Sequence, residues 1–217
     1  MTGRTSAQLP IPRGRHAPPL EVRLEVQKHR LFEAAAEVFS RVGYADSSAE
    51  AISRQAGMSK ATFYEHFSNK EECLLALFAF ASQTLLEAMM QASLKVELEY
   101  HERHRTGLRA ILETIEANPM MAQAILVESV GAGPRIADVR DAMLAGFAQF
   151  LYEATQEAAR RERGPAYASP DEAFAIVGAT FELVSRQLRT GHPPQMLDLL
   201  PLIERLIVGL LSQPPRT

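Results

Sequence analysis

The feature that most constrains this chain is its hydrophobic period. After about residue 20, apolar residues recur every three to four positions, and Val, Ile and Thr never alternate over the length of a strand. Leu31, Ala35, Val38, Phe39 and Val42 follow the i, i+4, i+7, i+8, i+11 spacing of one helix face, and Gly43 ends the run. A short helix is expected from about Ser48 to Gln55, with Ser47 and Glu50 spaced as a capping box, and Gly57 breaks it. Ser59 can cap a third helix ending near His66. Asn69 with Glu72, or Ser68 with Glu71, can cap a fourth that carries Leu74, Leu77, Phe78, Ala81 and Leu85 on one face. Asn118-Pro119, Gly133-Pro134, Gly164-Pro165 and Gly191-His192-Pro193-Pro194 punctuate later helices, expected near 97–117, 120–131, 136–163, 170–190 and 195–212. The pattern reads as all-α.

Three segments follow. Residues 1–20 hold four prolines, three arginines and no acid, and read as a disordered basic arm. Residues 21–68 form a small helical unit, and residues 69–217 a larger one. The chain's 217 residues, 47% hydrophobic, suffice for one sizeable core or two small ones. No run of about 18 residues is apolar throughout, so no membrane span is expected. The start lacks an apolar leader, and Cys73 is the only cysteine, so a reducing cytoplasm is expected.

A net charge of −3 argues against a nucleic-acid partner, but its distribution does not. Residues 1–70 carry ten Lys and Arg against seven Asp and Glu; the remainder carries thirteen against nineteen. A basic end on an acidic body is expected where only one part meets phosphate.

Two short helices joined by Ala56-Gly57-Met58 make a helix-turn-helix candidate, with Ile52, Ala56, Met58 and Phe63 as its packing residues. The second of them, Ser59-Lys60-Ala61-Thr62-Phe63-Tyr64-Glu65-His66, is polar on its outer face and sized for a major groove. The stretch from Gly43-Tyr44 through Ile52-Ser53-Arg54-Gln55-Ala56-Gly57-Met58-Ser59-Lys60 to Tyr64-Glu65-His66-Phe67 and Lys70-Glu71-Glu72 resembles the DNA-binding domain of the tetracycline-repressor (TetR) family. Ser53 and Met58 depart from that pattern, where the family usually has Ala and Val. The resemblance covers roughly residues 28–78. It implies a three-helix DNA-binding domain followed by an all-α domain that dimerises and binds a ligand. It also implies that Ser59, Lys60, Ala61, Thr62, Tyr64 and His66 lie on the recognition helix and that Lys70 grips a phosphate. Ser47 and Ser48 hold a similar place at the start of the second helix. The alternative for Lys70 is a plain surface lysine, and for Tyr64 a half-core position.

In the larger unit Phe174, Val177, Phe181, Val184 and Leu188 share one helix face. Apolar residues nearly encircle the last helix, including Leu199, Ile203, Leu206 and Leu210. A helix apolar all round must be covered on both sides. Phe174, Val177, Val184, Leu188, Leu199, Ile203, Leu206 and Leu210 are therefore expected at a homodimer interface, the alternative being a buried hairpin in a monomer. Pro201 should kink or begin that helix. Met89, Met120, Met121, Phe147, Leu151 and Phe181 are expected to line a pocket for an unknown, largely apolar small-molecule effector. Glu128 shares a helical face with Met121 and Ile125, and is its polar candidate.

The function expected is a homodimeric regulator, most simply a repressor, that binds a near-palindromic double-stranded DNA operator and is released by its effector. No catalytic constellation, cofactor or metal set stands out, which leaves an enzyme the poorer reading. His101 and His104 lack the spacing of a zinc motif and read as a solvated helix face. Cys73 reads as a buried structural thiol rather than a redox sensor. Pro12-Arg13-Gly14-Arg15 is either a minor-groove arm or a merely basic tail.

Overall fold

The computed structural model describes residues 19–94, 100–161 and 164–211, and every regular element among them is a helix. The expected basic arm with Arg13-Gly14-Arg15 lies outside the described residues, as does the side chain of His101. In chain order the helices are α1 (Leu20–Val42), α2 (Ala49–Gln55), α3 (Lys60–His66), α4 (Lys70–Leu94), α5 (Tyr100–Ala117), α6 (Pro119–Gln123), α7 (Pro134–Arg160), α8 (Pro170–Thr190) and α9 (Leu200–Leu211).

Their ends follow from local chemistry. Gly43 takes φ +79°, which suits glycine, and its N–H donates to the Phe39 carbonyl at 2.9 Å. Ser48, Ser59 and Ser169 are the N-caps of α2, α3 and α8, and each hydroxyl accepts a backbone N–H. Asn69 Oδ1 accepts from Glu72 N–H at 2.9 Å at the start of α4. Ser47 is not the cap expected of it: its hydroxyl is buried and donates to the Tyr44 carbonyl at 2.6 Å. Pro201 stands in the first turn of α9, where its missing N–H costs nothing, so it begins the helix.

Helix α1 buries Leu31, Phe32, Ala34, Ala35, Ala36, Val38 and Phe39. It packs on α2, on α4 and on α6, and α2 packs on α3. Helix α4 is the spine. Its first half closes the core of the N-terminal unit with Cys73, Leu74, Leu77 and Phe78, and the rest packs on α5 and α7. Residues 70–92 are long and apolar enough to cross a membrane by length and composition alone. Here α4 packs on α1, α5 and α7. One continuous apolar cluster runs from Leu31 and Phe39 through Phe78 and Leu112 to Val184 and Ile203. The two units therefore share α4 and its core rather than a linker.

In the larger unit α7 packs along α8, and α9 lies against α5 and α8. This arrangement separates the residues expected at a dimer interface. Val177, Val184, Leu199 and Ile203 are buried within the chain itself, Val184 and Ile203 completely. They form the inward row of helices whose periodicity could not distinguish inside from outside. Phe174, at 45% exposure, and Leu206, at 39%, face outward, and Leu188 and Leu210 are half-buried.

Candidate functional site

The outer face of α3 presents Ser59, Lys60, Ala61, Tyr64 and Glu65, while Phe63 and Phe67 anchor its back in the core. Tyr64 is half exposed at 50%. The ammonium of Lys60 lies 5.9 Å from the Tyr64 ring centroid, one turn along the same helix. Thr62 is half-buried, and its hydroxyl shares a 2.9 Å hydrogen bond with the Ser59 hydroxyl. His66 is turned back toward α1, its Nε2 3.3 Å from Gln27 Oε1. Ser48 is exposed at the head of α2 beside this face; Ser47 is buried and does not join it.

The angle between α2 and α3 is fixed from below. Gly57 supplies φ +64° in the connecting turn. Arg30 on α1 donates from Nη2 to the Ala56 carbonyl at 2.9 Å, satisfying an acceptor that the end of α2 would otherwise leave open. Ser53, buried on α2, donates to the Ala49 carbonyl at 2.6 Å, so the departure from alanine leaves no unsatisfied hydroxyl.

Lys70 corrects a sequence expectation. Its ammonium donates to the carbonyls of Tyr44, Ala45 and Ser47 at 2.8, 3.0 and 3.0 Å. It also sits 4.5 Å from the Tyr44 ring centroid. All three N–H donors are used, so none remains for a phosphate. Lys70 instead clamps the α1–α2 loop to the head of α4. The adjoining Glu71 and Glu72 pair with Arg135 at the head of α7, Glu71 at 3.5 Å. Burial, reinforced by Glu71, pushes the Tyr44 phenol up. Cys73 lies completely buried in the next turn, and burial pushes its thiol up to about 12, which removes the thiolate a redox sensor needs.

Two apolar cavities occupy the larger unit. The inner one, about 260 Å³, lies against the N-terminal unit: His29 and Glu33 of α1 line it with Phe80 and Thr84 of α4 and with Met121 and Ile125. The outer one, about 220 Å³, is lined by α5, α7 and α8, with Met89, Phe147 and Leu151 in its wall together with Arg103 and His104. Ile115 and Phe181 line both cavities. Five of the seven residues expected at a pocket, Met89, Met121, Phe147, Leu151 and Phe181, thus line one or both. Met120 does not, being 51% exposed.

Glu128 does not either, and the reason is local. Residues Ala124–Glu128 form a π-helical turn rather than an α-helical one. In π geometry residue i meets i+5, and here Gln123 Nε2 donates to Glu128 Oε1 at 2.9 Å. The wider turn rotates Glu128 off the Met121–Ile125 face. Its other carboxylate oxygen stands about 3.5 Å from where a Cβ on Gly43 would lie, at the end of α1.

Sequence reasoning missed Arg30, Gln27 and Arg135 because their partners lie 26, 39 and more than 60 positions away. The one available signal was for Arg30: the carbonyls at the end of α2 need a donor.

Residues 31–77 match the family model described as bacterial regulatory proteins, tetR family. The chain is 30% identical over 111 residues to the HTH-type transcriptional activator FasR of Mycolicibacterium smegmatis. That match covers 51% of this chain and 50% of the relative, so the chain spans half the length of the curated protein it matches. Among solved structures, the fatty acid degradation regulator FadR of Bacillus halodurans superposes with TM-score 0.77 at 18% identity, covering 87% of this chain and 97% of that one. The regulator FadR of Bacillus subtilis, solved in complex with stearoyl-CoA, superposes with TM-score 0.72 at 20% identity, covering 85% and 97%. These two likenesses establish the fold across both helical units. The segment that builds α1 to α4 thus matches the tetR family of bacterial regulatory proteins, and the rest of the chain shares the fold of these two structures.

Proposed function

We propose that this chain is a homodimeric, ligand-responsive regulator of transcription in the cytoplasm, that it binds a near-palindromic operator through α3, and that a long-chain acyl effector releases it. The observation that carries the ligand half is the pair of apolar cavities meeting at Ile115 and Phe181, one of them walled by α1. Each is below the roughly 300–1,000 Å³ of a typical small-molecule site, and together they fall within it. An acyl chain suits an elongated apolar space, and the related FadR fold carries stearoyl-CoA. Glu33 and His29 give the effector direct contact with the helix that supports α2 and α3.

For DNA, Lys60, Ala61 and Tyr64 form the reading face, with Thr62, Ser59 and His66 at its edges and Ser48 toward the backbone. Two copies pair through the outward row of α8 and α9, where Phe174, Leu202 and Leu206 are exposed and Gly178 and Gly209 leave open space beside the backbone. Such a pairing sets the distance between two α3 helices, and an effector need favour the mismatched spacing by only a few kcal/mol.

Duplex selection from random sequence followed by anisotropy with Lys60→Ala and Tyr64→Ala tests the DNA half. Both variants should lose preference for the selected duplex over scrambled DNA, by about 1–3 kcal/mol for a lost bidentate base contact. Unchanged preference in both would remove α3 from the role.

A further inference from the structure

The two cavities differ at their ends in a way that their shared wall turns into a ruler. Arg103, which is exposed, and His104 line the outer cavity, whose remaining lining is almost wholly apolar and includes Leu108, Ile111, Phe147, Leu151 and Val177. Glu33 and His29, which pair at 3.5 Å on α1, line the inner cavity. An anionic headgroup is attracted to the guanidinium end and repelled by the carboxylate end. An amphiphile is therefore oriented with its head at Arg103 and its tail pointing toward α1. Shared by the two cavities are Ile115 and Phe181, both nearly fully buried, with the Phe147 ring tilted 47° against the Phe181 ring at a centroid distance of 5.6 Å. A short tail ends in the outer cavity, short of this wall. A long tail must displace the Phe181 ring to go further, and it then fills the only part of the path that α1 lines.

We infer that Phe181, backed by Ile115, is a length-selecting partition: acyl chains of about eight carbons occupy the outer cavity alone, while chains of about sixteen to eighteen pass the partition and contact α1. The inference rests on the proposed acyl effector and adds which lengths signal, and through which side chain. Each methylene moved from water into the inner cavity adds up to about fourfold in affinity, less the cost of turning Phe181. Selectivity for long chains thus comes from the inner cavity, and so does communication with DNA.

The test compares octanoyl-CoA with stearoyl-CoA on the full chain, by calorimetry and by hydrogen exchange in the α1 segment 26–36. In the wild type both should bind, stearoyl-CoA at least about tenfold tighter, and only stearoyl-CoA should slow exchange in α1. Phe181→Trp thickens the partition, and Thr84→Met fills the inner cavity from α4 without touching the outer one. Thr84→Met should leave octanoyl-CoA affinity within about threefold, and both variants should erase the stearoyl advantage and the α1 protection. Having two variants on different helices guards against one failing to fold. If both variants bind stearoyl-CoA with the wild-type advantage, or if octanoyl-CoA protects α1 as well, the partition is overturned and the acyl-responsive reading stands. If neither thioester binds the wild type, both fall.

Discussion

The N-terminal unit and the C-terminal body are built from the same kind of helix but spend their interiors differently. In the first, each junction is closed by a specific polar contact: Arg30 to Ala56, Lys70 to three carbonyls, Ser48 and Ser59 on their helix ends. In the second, two cavities interrupt the packing and a π turn replaces a regular one. The first is arranged to hold α3 at a fixed angle. The second is arranged to be filled. The proposed ligand response needs both properties, and α1 and α4, which pack in both units, are the route by which filling one would bias the other.

The sharpest way to break this comparison is Lys70. Lys70→Ala leaves three loop carbonyls without their donor and should cost about 2–3 kcal/mol of stability by denaturant unfolding. Operator affinity should fall with it, because the α1–α2 loop is released. The slope of log affinity against log salt should hardly change, since the wild-type ammonium is not spent on phosphate. A variant of normal stability whose salt slope drops by about one per subunit would put Lys70 back on the DNA.

Overpacking separates the two interiors next. Ala35 is completely buried between helices of the N-terminal unit, and Ala35→Leu should cost about 1–3 kcal/mol. Ala122 is also buried but lines the inner cavity, so Ala122→Leu should cost well under that while weakening binding of a long acyl chain. Equal penalties would mean that the body is as tightly filled as the DNA-binding unit.

A smaller effect is expected at the cap of the recognition helix. Ser59→Ala removes the acceptor for the Thr62 N–H and should cost about 1 kcal/mol. Thermal melts of the two proteins, compared at equal concentration, measure it directly.

How much could be read beforehand follows from the range of each interaction. Caps, Gly57 and the apolar rows act within a few residues, so the α1–α4 pattern was legible, with Ser48 taking the cap assigned to Ser47. The clamp at Lys70 spans 23–26 positions, and the sequence supplied only a basic residue near a helix start. Cavity residues such as Met121 and Phe181 were legible as apolar and flexible, but Glu128 was placed by α-helical spacing in a segment that is π. Val184 and Ile203 were assigned to a partner because an all-round apolar helix does not declare which side its own chain covers.

The effect that vanishes at neutral pH concerns Cys73. Its thiol is raised from 9.0 to about 12 by burial, so the folded chain keeps the proton over a range where the unfolded chain loses it. Below pH 9 both states are protonated and stability is independent of this group. Between pH 9 and about 12 the unfolded state is favoured progressively, by about 1.4 kcal/mol per pH unit. Unfolding of wild type and Cys73→Ala should therefore diverge only above pH 9, and a thiol reagent at pH 8 should leave the folded chain unmodified.

The most direct measurement is the affinity of the purified protein for its selected duplex, by fluorescence anisotropy at fixed salt, with and without saturating stearoyl-CoA. A loss of at least about tenfold is expected on adding the thioester, which is a coupling of about 1.4 kcal/mol. Because coupling is reciprocal, the duplex must weaken stearoyl-CoA binding by the same factor. Binding of stearoyl-CoA that leaves duplex affinity unchanged would contradict it.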